Sequence, residues 1–164
     1  MNDLNPSTVD LAAALHSLPH GPEFRFVDRL LTLIPGREGT GEYRVRGDEP
    51  FLRGHFPGQP LFPGVLLIEA AAQLAGIVAQ TDPERRPLIG LKLAAIRSAK
   101  ILGSARPGET VELRARVIGR LGPMIQTEAE VRLCGRGLLT ATLAFSGTDP
   151  AVRQSIAADL PGSA

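Results

Sequence analysis

The sequence contains a single cysteine, no large excess of charge of one sign, and no long apolar run. The lone Cys134 has no partner in the chain, so no internal disulfide can form, which fits a reducing compartment. The 18 basic and 17 acidic residues leave a formal net charge of +1. This balance excludes a global electrostatic attraction to nucleic acid or to a membrane surface.

Membrane-spanning and secretory signals are also missing from the sequence. No stretch of about 18 uninterrupted apolar residues occurs, so no membrane span is expected. The opening "MNDLNPSTVD" has no basic region followed by an apolar core, so a cytoplasmic location is expected. Since His16, His20, His55 and Cys134 form no ligand cluster, neither a metal nor another cofactor is expected.

A length of 164 residues with 43% apolar and 21% charged side chains predicts one globular domain, residues 1–164. A short helix is predicted over 7–17, where Ser7 and Asp10 resemble a capping box. Strands are predicted over 24–34 and 39–46, around the turn "PGREG".

Residues 64–80, "GVLLIEAAAQLAGIVAQ", predict a helix that is apolar on all sides and therefore buried. After Pro87 the pattern changes to strands. Period-two alternation is clearest over 110–118 and 126–133, with a further strand over 138–145. A short C-terminal helix is predicted over 149–160. The sum is an α+β fold in which a curved antiparallel sheet wraps one long helix.

Glu69 is the one carboxylate in the helix of residues 64–80. An ionised carboxylate in an apolar interior is costly unless it finds donors or becomes protonated. Gln73 follows one turn later on the same face, where its amide could orient the carboxylate. The pair suits general acid catalysis. A glutamate that reaches solvent, or one buried against backbone donors, fits the pattern as well.

His55 lies upstream in a loop stiffened by three prolines and three glycines within residues 54–64. Such a loop can hold an imidazole in a defined place, although a lone loop histidine is often structural or merely exposed. The helix start at Pro63-Gly64 leaves backbone N–H groups that could polarise a carbonyl oxygen.

The stretch "GHFPGQPLFPGVLLIEAAAQ", residues 54–73, resembles the signature of the FabZ-type 3-hydroxyacyl-acyl-carrier-protein dehydratases of type II fatty acid synthesis. By this resemblance His55 is the catalytic histidine and Glu69 the catalytic acid. Gly64 corresponds to the glycine whose amide binds the thioester carbonyl, and Gln73 to the orienting glutamine. Val65 and Phe56 complete the implied substrate-binding set. Glu69 and Val65 favour the type that does not isomerise its product.

The resemblance extends over about 18–146, the expected core of the domain. It includes "LPHGPEFRFVDRL" and "LAAIRSAKILGSARPGE". The chain departs from the family pattern at Gly21, Arg97 and Leu102-Gly103, which puts the carrier protein and the chain length in question. The implied fold is the hot-dog fold, and the implied assembly is a homodimer, or a trimer of dimers, whose active sites combine the histidine of one chain with the acid of the other.

The implied reaction removes water from a (3R)-hydroxyacyl thioester on an acyl carrier protein and gives the trans-2-enoyl thioester. Basic side chains near the mouth of the tunnel that would hold the acyl chain are expected to contact the acidic carrier protein. The candidates are Arg53, Arg97, Lys100 and Arg106. Three alternatives stay open: the same chemistry in a polyketide or aryl-polyene pathway, a hot-dog thioesterase, and a non-catalytic acyl-chain-binding protein. How Phe62, Ile89 and Leu91 pack would set the depth of the tunnel.

Overall fold

The structure, a computed structural model, describes residues 9–151. It contains two α-helices and six strands, with short 3-10 helices at Pro22–Phe24 and Pro50–Arg53. In chain order the elements are α1 (Leu11–His16), β1 (Arg29–Ile34), β2 (Glu38–Arg44), α2 (Gly64–Gln80), β3 (Ile89–Ile101), β4 (Thr110–Leu121), β5 (Met124–Leu133) and β6 (Arg136–Thr148).

The six strands form one sheet in the order β1-β2-β4-β5-β6-β3, and every neighbouring pair is antiparallel. Helix α2 packs against five of them, β2 to β6. The expected α+β architecture, a long helix wrapped by a curved antiparallel sheet, is therefore confirmed. None of the helices within residues 9–151 is long and apolar enough to cross a bilayer.

Helix α2 begins and ends where the sequence predicts, at Gly64 and Gln80. Most of its side chains are buried, including Leu67, Leu74 and Ile77 at 1% exposure or less. Burial of one large aliphatic side chain contributes about 1.5–3 kcal/mol. The apolar character of α2 on nearly all sides is thus explained by the sheet that covers it.

The alternating strands are also as predicted. In β4, Val111, Leu113 and Ala115 are buried against the helix, while Arg114 and Arg116 face outward. Both β4 and the following strands run a few residues beyond the predicted bounds. The ladder of backbone hydrogen bonds continues into the tight hairpin turns, which the side-chain pattern does not reveal.

Two predictions near the N-terminus were wrong in detail. The first helix covers only Leu11–His16, and its N-cap is Asp10, whose carboxylate accepts from the Ala12 and Ala13 N–H groups. Asp10 was expected inside the helix. Ser7, the expected cap, lies outside the described residues.

The strand predicted from residue 24 begins only at Arg29. Pro22–Phe24 forms a 3-10 turn, closed by a hydrogen bond from the Phe24 N–H to the Gly21 carbonyl. The carbonyl of Phe24 and the N–H of Phe26 then bond to the side chain of Gln73 rather than to a neighbouring strand.

Strand β3 was expected only as part of a strand-rich region. Its side chains do not alternate between buried and exposed, because β3 is one of the two edge strands and most of it is exposed. Ile96 and Ile101 are about half exposed. At the other end of the chain, Asp149 accepts a hydrogen bond from the Ala151 N–H, as an N-cap does. The remainder of the helix predicted over 149–160 lies outside the described residues.

Candidate active site

Glu69 lies in the second turn of α2, where its side chain is only partly buried, with 25% exposed. The side-chain amide of Gln73, one turn further on, donates to Glu69 Oε1 at 3.0 Å. A carboxylate that accepts a hydrogen bond from a fixed amide keeps one orientation. The i, i+4 contact expected from the sequence is therefore present, although Glu69 is less buried than an apolar helix suggested.

Gln73 itself is held on both sides. Its Nε2 also donates to the Phe24 carbonyl at 2.9 Å, and its Oε1 accepts from the Phe26 N–H at 2.8 Å. The residue is 2% exposed. An amide with this many partners cannot rotate without loss of buried hydrogen bonds, so its contact with Glu69 is rigid.

His20 approaches Glu69 from the segment between α1 and the first 3-10 helix. Its Nε2 lies 3.4 Å from Glu69 Oε1. The other ring nitrogen, Nδ1, is buried and has no hydrogen-bond partner within the described residues. The Gln73 amide and the His20 imidazole thus both approach the same carboxylate oxygen, Glu69 Oε1.

His55 is oriented by its own loop. Its Nδ1 lies 2.9 Å from the Leu61 carbonyl oxygen. A carbonyl oxygen can only accept, so Nδ1 carries the proton in this contact and Nε2 of the neutral ring is left with a free lone pair. This is the tautomer that a general base needs.

The loop that carries His55 is strained at the next residue. Phe56 adopts a positive φ of 53°, which is unusual for a bulky side chain, and its side chain is 60% exposed. The rings of His55 and Phe56 meet edge to face with centroids 4.7 Å apart. A hydrogen bond from the Phe62 N–H to the Ala105 carbonyl anchors the end of the loop.

The start of α2 presents unpaired backbone donors. Pro63 is the N-cap and offers no side-chain acceptor to the first N–H groups. A Cβ at Gly64 would lie 2.9 Å from Ile101 Cδ1, so a larger residue here would require the Ile101 side chain to move. Val65 follows and is 67% exposed.

A buried carboxylate upstream of the loop anchors the chain that leads to His55. Glu49 is 7% exposed and accepts from the Tyr43 hydroxyl at 2.7 Å and the Arg46 N–H at 2.8 Å. Burial alone would raise the pKa of Glu49, but these hydrogen bonds, with one from the Gly47 N–H, lower it below its ordinary value. Burial, together with the bond to Glu49, raises the pKa of Tyr43 well above its usual range.

An elongated cavity of about 540 Å³ begins at Glu69. His20, Glu69 and Gln73 line one end of it, apolar side chains such as Ile77 and Phe145 line much of the rest, and Gln80 and Lys92 also contribute to the lining. We refer to this cavity as the acyl groove. His55 does not line it, so within one chain the structure brings together Glu69 and Gln73 but leaves the histidine apart. The expected residues Gly64, Val65 and Phe56 also lie outside it.

Arg53, Arg97, Lys100 and Arg106, proposed from the sequence as carrier-facing, are all exposed. Within residues 9–151 no three His, Cys, Asp or Glu side chains come together in an arrangement that could hold a metal ion.

The fold has solved counterparts. The structure described as "The Dehydratase Heterocomplex ApeI:P from Xenorhabdus doucetiae" matches with a TM-score of 0.70 at 17% identity, over 89% of this chain and 97% of the other. The arrangement of helix and sheet is therefore that of the hot-dog proteins.

Sequence comparison places the chain more narrowly within the hot-dog class. Residues 18–142 match the family model described as "FabA-like domain". The chain is 35% identical to "3-hydroxyacyl-[acyl-carrier-protein] dehydratase FabZ" of Chloroflexus aggregans, over 81% of this chain and 92% of the relative. It is 33% identical to the protein of that name from Myxococcus xanthus, over 87% and 97%. The chain belongs to the FabZ-type dehydratase family, as the sequence motif predicted.

His20 is the site residue that sequence reasoning missed. It stands in the segment "LPHGPEF", which was used only as part of the family resemblance. No spacing rule connects it with Glu69, because the two are 49 positions apart. An imidazole within a family-like segment outside the main motif was the one available signal.

Proposed function

We propose that this protein removes water from a (3R)-hydroxyacyl thioester carried by an acyl carrier protein and releases the trans-2-enoyl thioester. One structural observation supports this reaction above the others: a carboxylate held by a rigid amide lies in a groove whose lining is mostly apolar. An acyl chain in the groove would place its reacting carbons beside Glu69.

His55 and Glu69 have separate roles in the proposed reaction. His55 Nε2 takes the proton from C2, and the electron pair of that bond forms the C2–C3 double bond. The C3–O bond breaks, and Glu69 donates the proton with which the hydroxyl leaves as water. The N–H groups at the start of α2, at Gly64, stabilise the negative charge on the thioester oxygen during proton removal. Exchange with solvent restores both protonation states.

A second protomer completes the site. His55 does not line the acyl groove of its own chain, and β3, thirteen residues long, lies at an edge of the sheet with Ile96 and Ile101 half uncovered. Unpaired edges of this kind join the edges of other strands. We therefore propose a homodimer joined along β3, with His55 of one protomer facing Glu69 of the partner subunit.

Complementation between inactive variants tests the shared site. His55→Ala and Glu69→Ala should each lower kcat by about 10²-fold or more, because each removes general acid–base help. After subunit exchange, a mixed dimer contains one site with both groups, so mixing the two inactive proteins should restore activity. If labelled subunits are seen to exchange and no activity returns, the shared-site model is wrong.

The same assay separates dehydration from hydrolysis. Enoyl thioester formation is followed by its ultraviolet absorbance, and thioester hydrolysis by release of free thiol. Thiol release without enoyl formation would contradict the proposed dehydratase and would instead support a hot-dog thioesterase. Carrier-linked and short pantetheine thioesters are compared, since only the former depends on docking of the carrier.

A further inference from the structure

The acyl groove runs along one face of α2. Its helix-side residues include Glu69, Gln73, Gly76 and Gln80, spaced at three or four positions. At about 1.5 Å per residue, the eleven positions from Glu69 to Gln80 correspond to about 16 Å. The groove therefore has a defined near end, where the chemistry takes place, and a defined far end, at the last turn of the helix.

A reciprocal pair of hydrogen bonds lies at the far end of the groove. Gln80 Nε2 donates to the Leu88 carbonyl at 2.8 Å, and the Leu88 N–H donates to Gln80 Oε1 at 2.9 Å. Both residues line the groove. This Gln80–Leu88 pair ties the end of α2 to the segment that enters β3. The side-chain amide of Gln80 and the backbone N–H and carbonyl of Leu88 thus hydrogen-bond to each other.

Gly76 lies midway along the groove. Glycine in a helix interior makes the helix less stable than alanine does, so its presence there needs a reason. Packing among residues 9–151 supplies none, because a Cβ built on Gly76 would meet no atom of these residues within 4 Å. The missing side chain instead leaves open space in the middle of the groove.

We infer that Gly76 and the Gln80–Leu88 pair set the range of acyl chain lengths. This inference rests on the proposed dehydratase function. The acyl chain passes over Gly76 and ends against the Gln80–Leu88 pair. An unsubstituted alkyl terminus can rest against this pair, because the Gln80 amide and the Leu88 backbone groups already hydrogen-bond to each other. The specificity is thus for acyl chains up to the length of the groove.

Gly76→Leu tests the middle of the groove. The ratio of kcat/KM for a 3-hydroxydodecanoyl thioester to that for a 3-hydroxybutyryl thioester should fall by about tenfold or more, since the longer chain loses burial of several methylene groups. Gly119→Leu is the matched control, because Gly119 also has open space around it but lies in β4 outside the groove. An unchanged ratio in folded Gly76→Leu protein would refute the role of Gly76.

Gln80→Ala tests the far end. Removal of the side chain should raise the ratio of kcat/KM for a 3-hydroxyhexadecanoyl thioester to that for the dodecanoyl substrate, whereas Gln80→Met, which fills similar space, should leave this ratio low. Gln126→Ala, on the exposed face of β5, is the control. The inference fails if Gln80→Ala and Gln80→Met have the same ratio as the wild type.

The outcomes also distinguish failure of the inference from failure of the proposed function. If the wild type dehydrates none of the 3-hydroxyacyl thioesters, the function itself is wrong. If it is active and the Gly76 and Gln80 variants lose activity equally on every chain length, only the inference is wrong. Gly76→Ala guards against a folding defect, because alanine suits the helix. It should fold normally and shift the dodecanoyl-to-butyryl ratio in the same direction as leucine, to a smaller extent.

Discussion

Replacement of Gln73 by leucine should cost both stability and activity, in amounts that follow from its three hydrogen bonds. Leucine keeps most of the side-chain volume but leaves the buried Phe26 N–H without its acceptor and the Phe24 carbonyl without one donor. An unsatisfied buried polar group costs about 1–3 kcal/mol. Because the Phe24 carbonyl is nearer to solvent, the combined loss should be about 2–4 kcal/mol.

This loss is large beside the total stability of a domain, about 5–15 kcal/mol. For a chain of this size each kcal/mol lowers Tm by about 2–4 °C, so calorimetry should show a fall of about 5–15 °C. Gln126→Leu, exposed on β5, should change the free energy of unfolding by no more than about 0.5 kcal/mol. A Tm for Gln73→Leu within about 2 °C of the wild type would refute the claim that this amide holds residues 24–26.

Activity provides the second readout for Gln73→Leu. Assayed well below its Tm, the variant should show a kcat lower by about 10-fold to 100-fold, because Glu69 loses the amide that orients it and small displacements of catalytic groups are costly. KM should change less than kcat. A normal kcat in a destabilised protein would mean that Gln73 serves the fold alone.

Three further predictions concern single side chains around the site. His20→Ala should lower kcat and alter its pH profile, since the imidazole contact with Glu69 is lost. His16→Ala, at an exposed position of α1, should do neither. Arg53→Glu should raise KM for the carrier-linked substrate relative to a short pantetheine thioester, with Arg37→Glu as the control. This effect should fade at high salt, where charges are screened within about 3 Å at 1 M. Glu49→Gln should destabilise the protein at neutral pH, and its difference from the wild type should shrink below about pH 4.5, the ordinary pKa of this carboxyl group.

The sign of the Glu49 effect follows from its lowered pKa. A carboxylate that is stabilised in the folded state contributes stability above its unfolded pKa, and the contribution is lost as the pH falls through the folded pKa. A difference between wild type and Glu49→Gln that stays constant from pH 7 to about pH 3 would contradict this reasoning. For His20 the contradictory result is equal behaviour of the His20 and His16 variants. For Arg53 it is an equal rise in KM on both substrates.

Local patterns made much of the site predictable. The bounds of α2 follow from an apolar run after Pro63, and the contact of Glu69 with Gln73 follows from their spacing of four residues on a helix. The burial of Val111 and Leu113 follows from period-two alternation. Each of these features depends on neighbours within one or two turns of the chain, which a sequence displays directly.

The missed features join residues that are distant in sequence. The hold of Gln73 on residues 24–26, the contact of His20 with Glu69, and the exposure of β3 all depend on how separate elements meet in space. The positive φ of Phe56 is another case, because nothing in a bulky aromatic side chain indicates a left-handed backbone. Such features follow from the assembled fold and not from any local pattern.

Both lysines of the sequence, Lys92 and Lys100, lie on β3, one of the two edge strands. Charged side chains, lysine above all, hinder unwanted pairing at sheet edges. A reagent that modifies primary amines can therefore react with side chains at this one strand alone. Acetylation of the two lysines would remove positive charge from this edge and leave every other side-chain charge in place. Their amine reactivity would thus report directly on whether the edge of the sheet is covered.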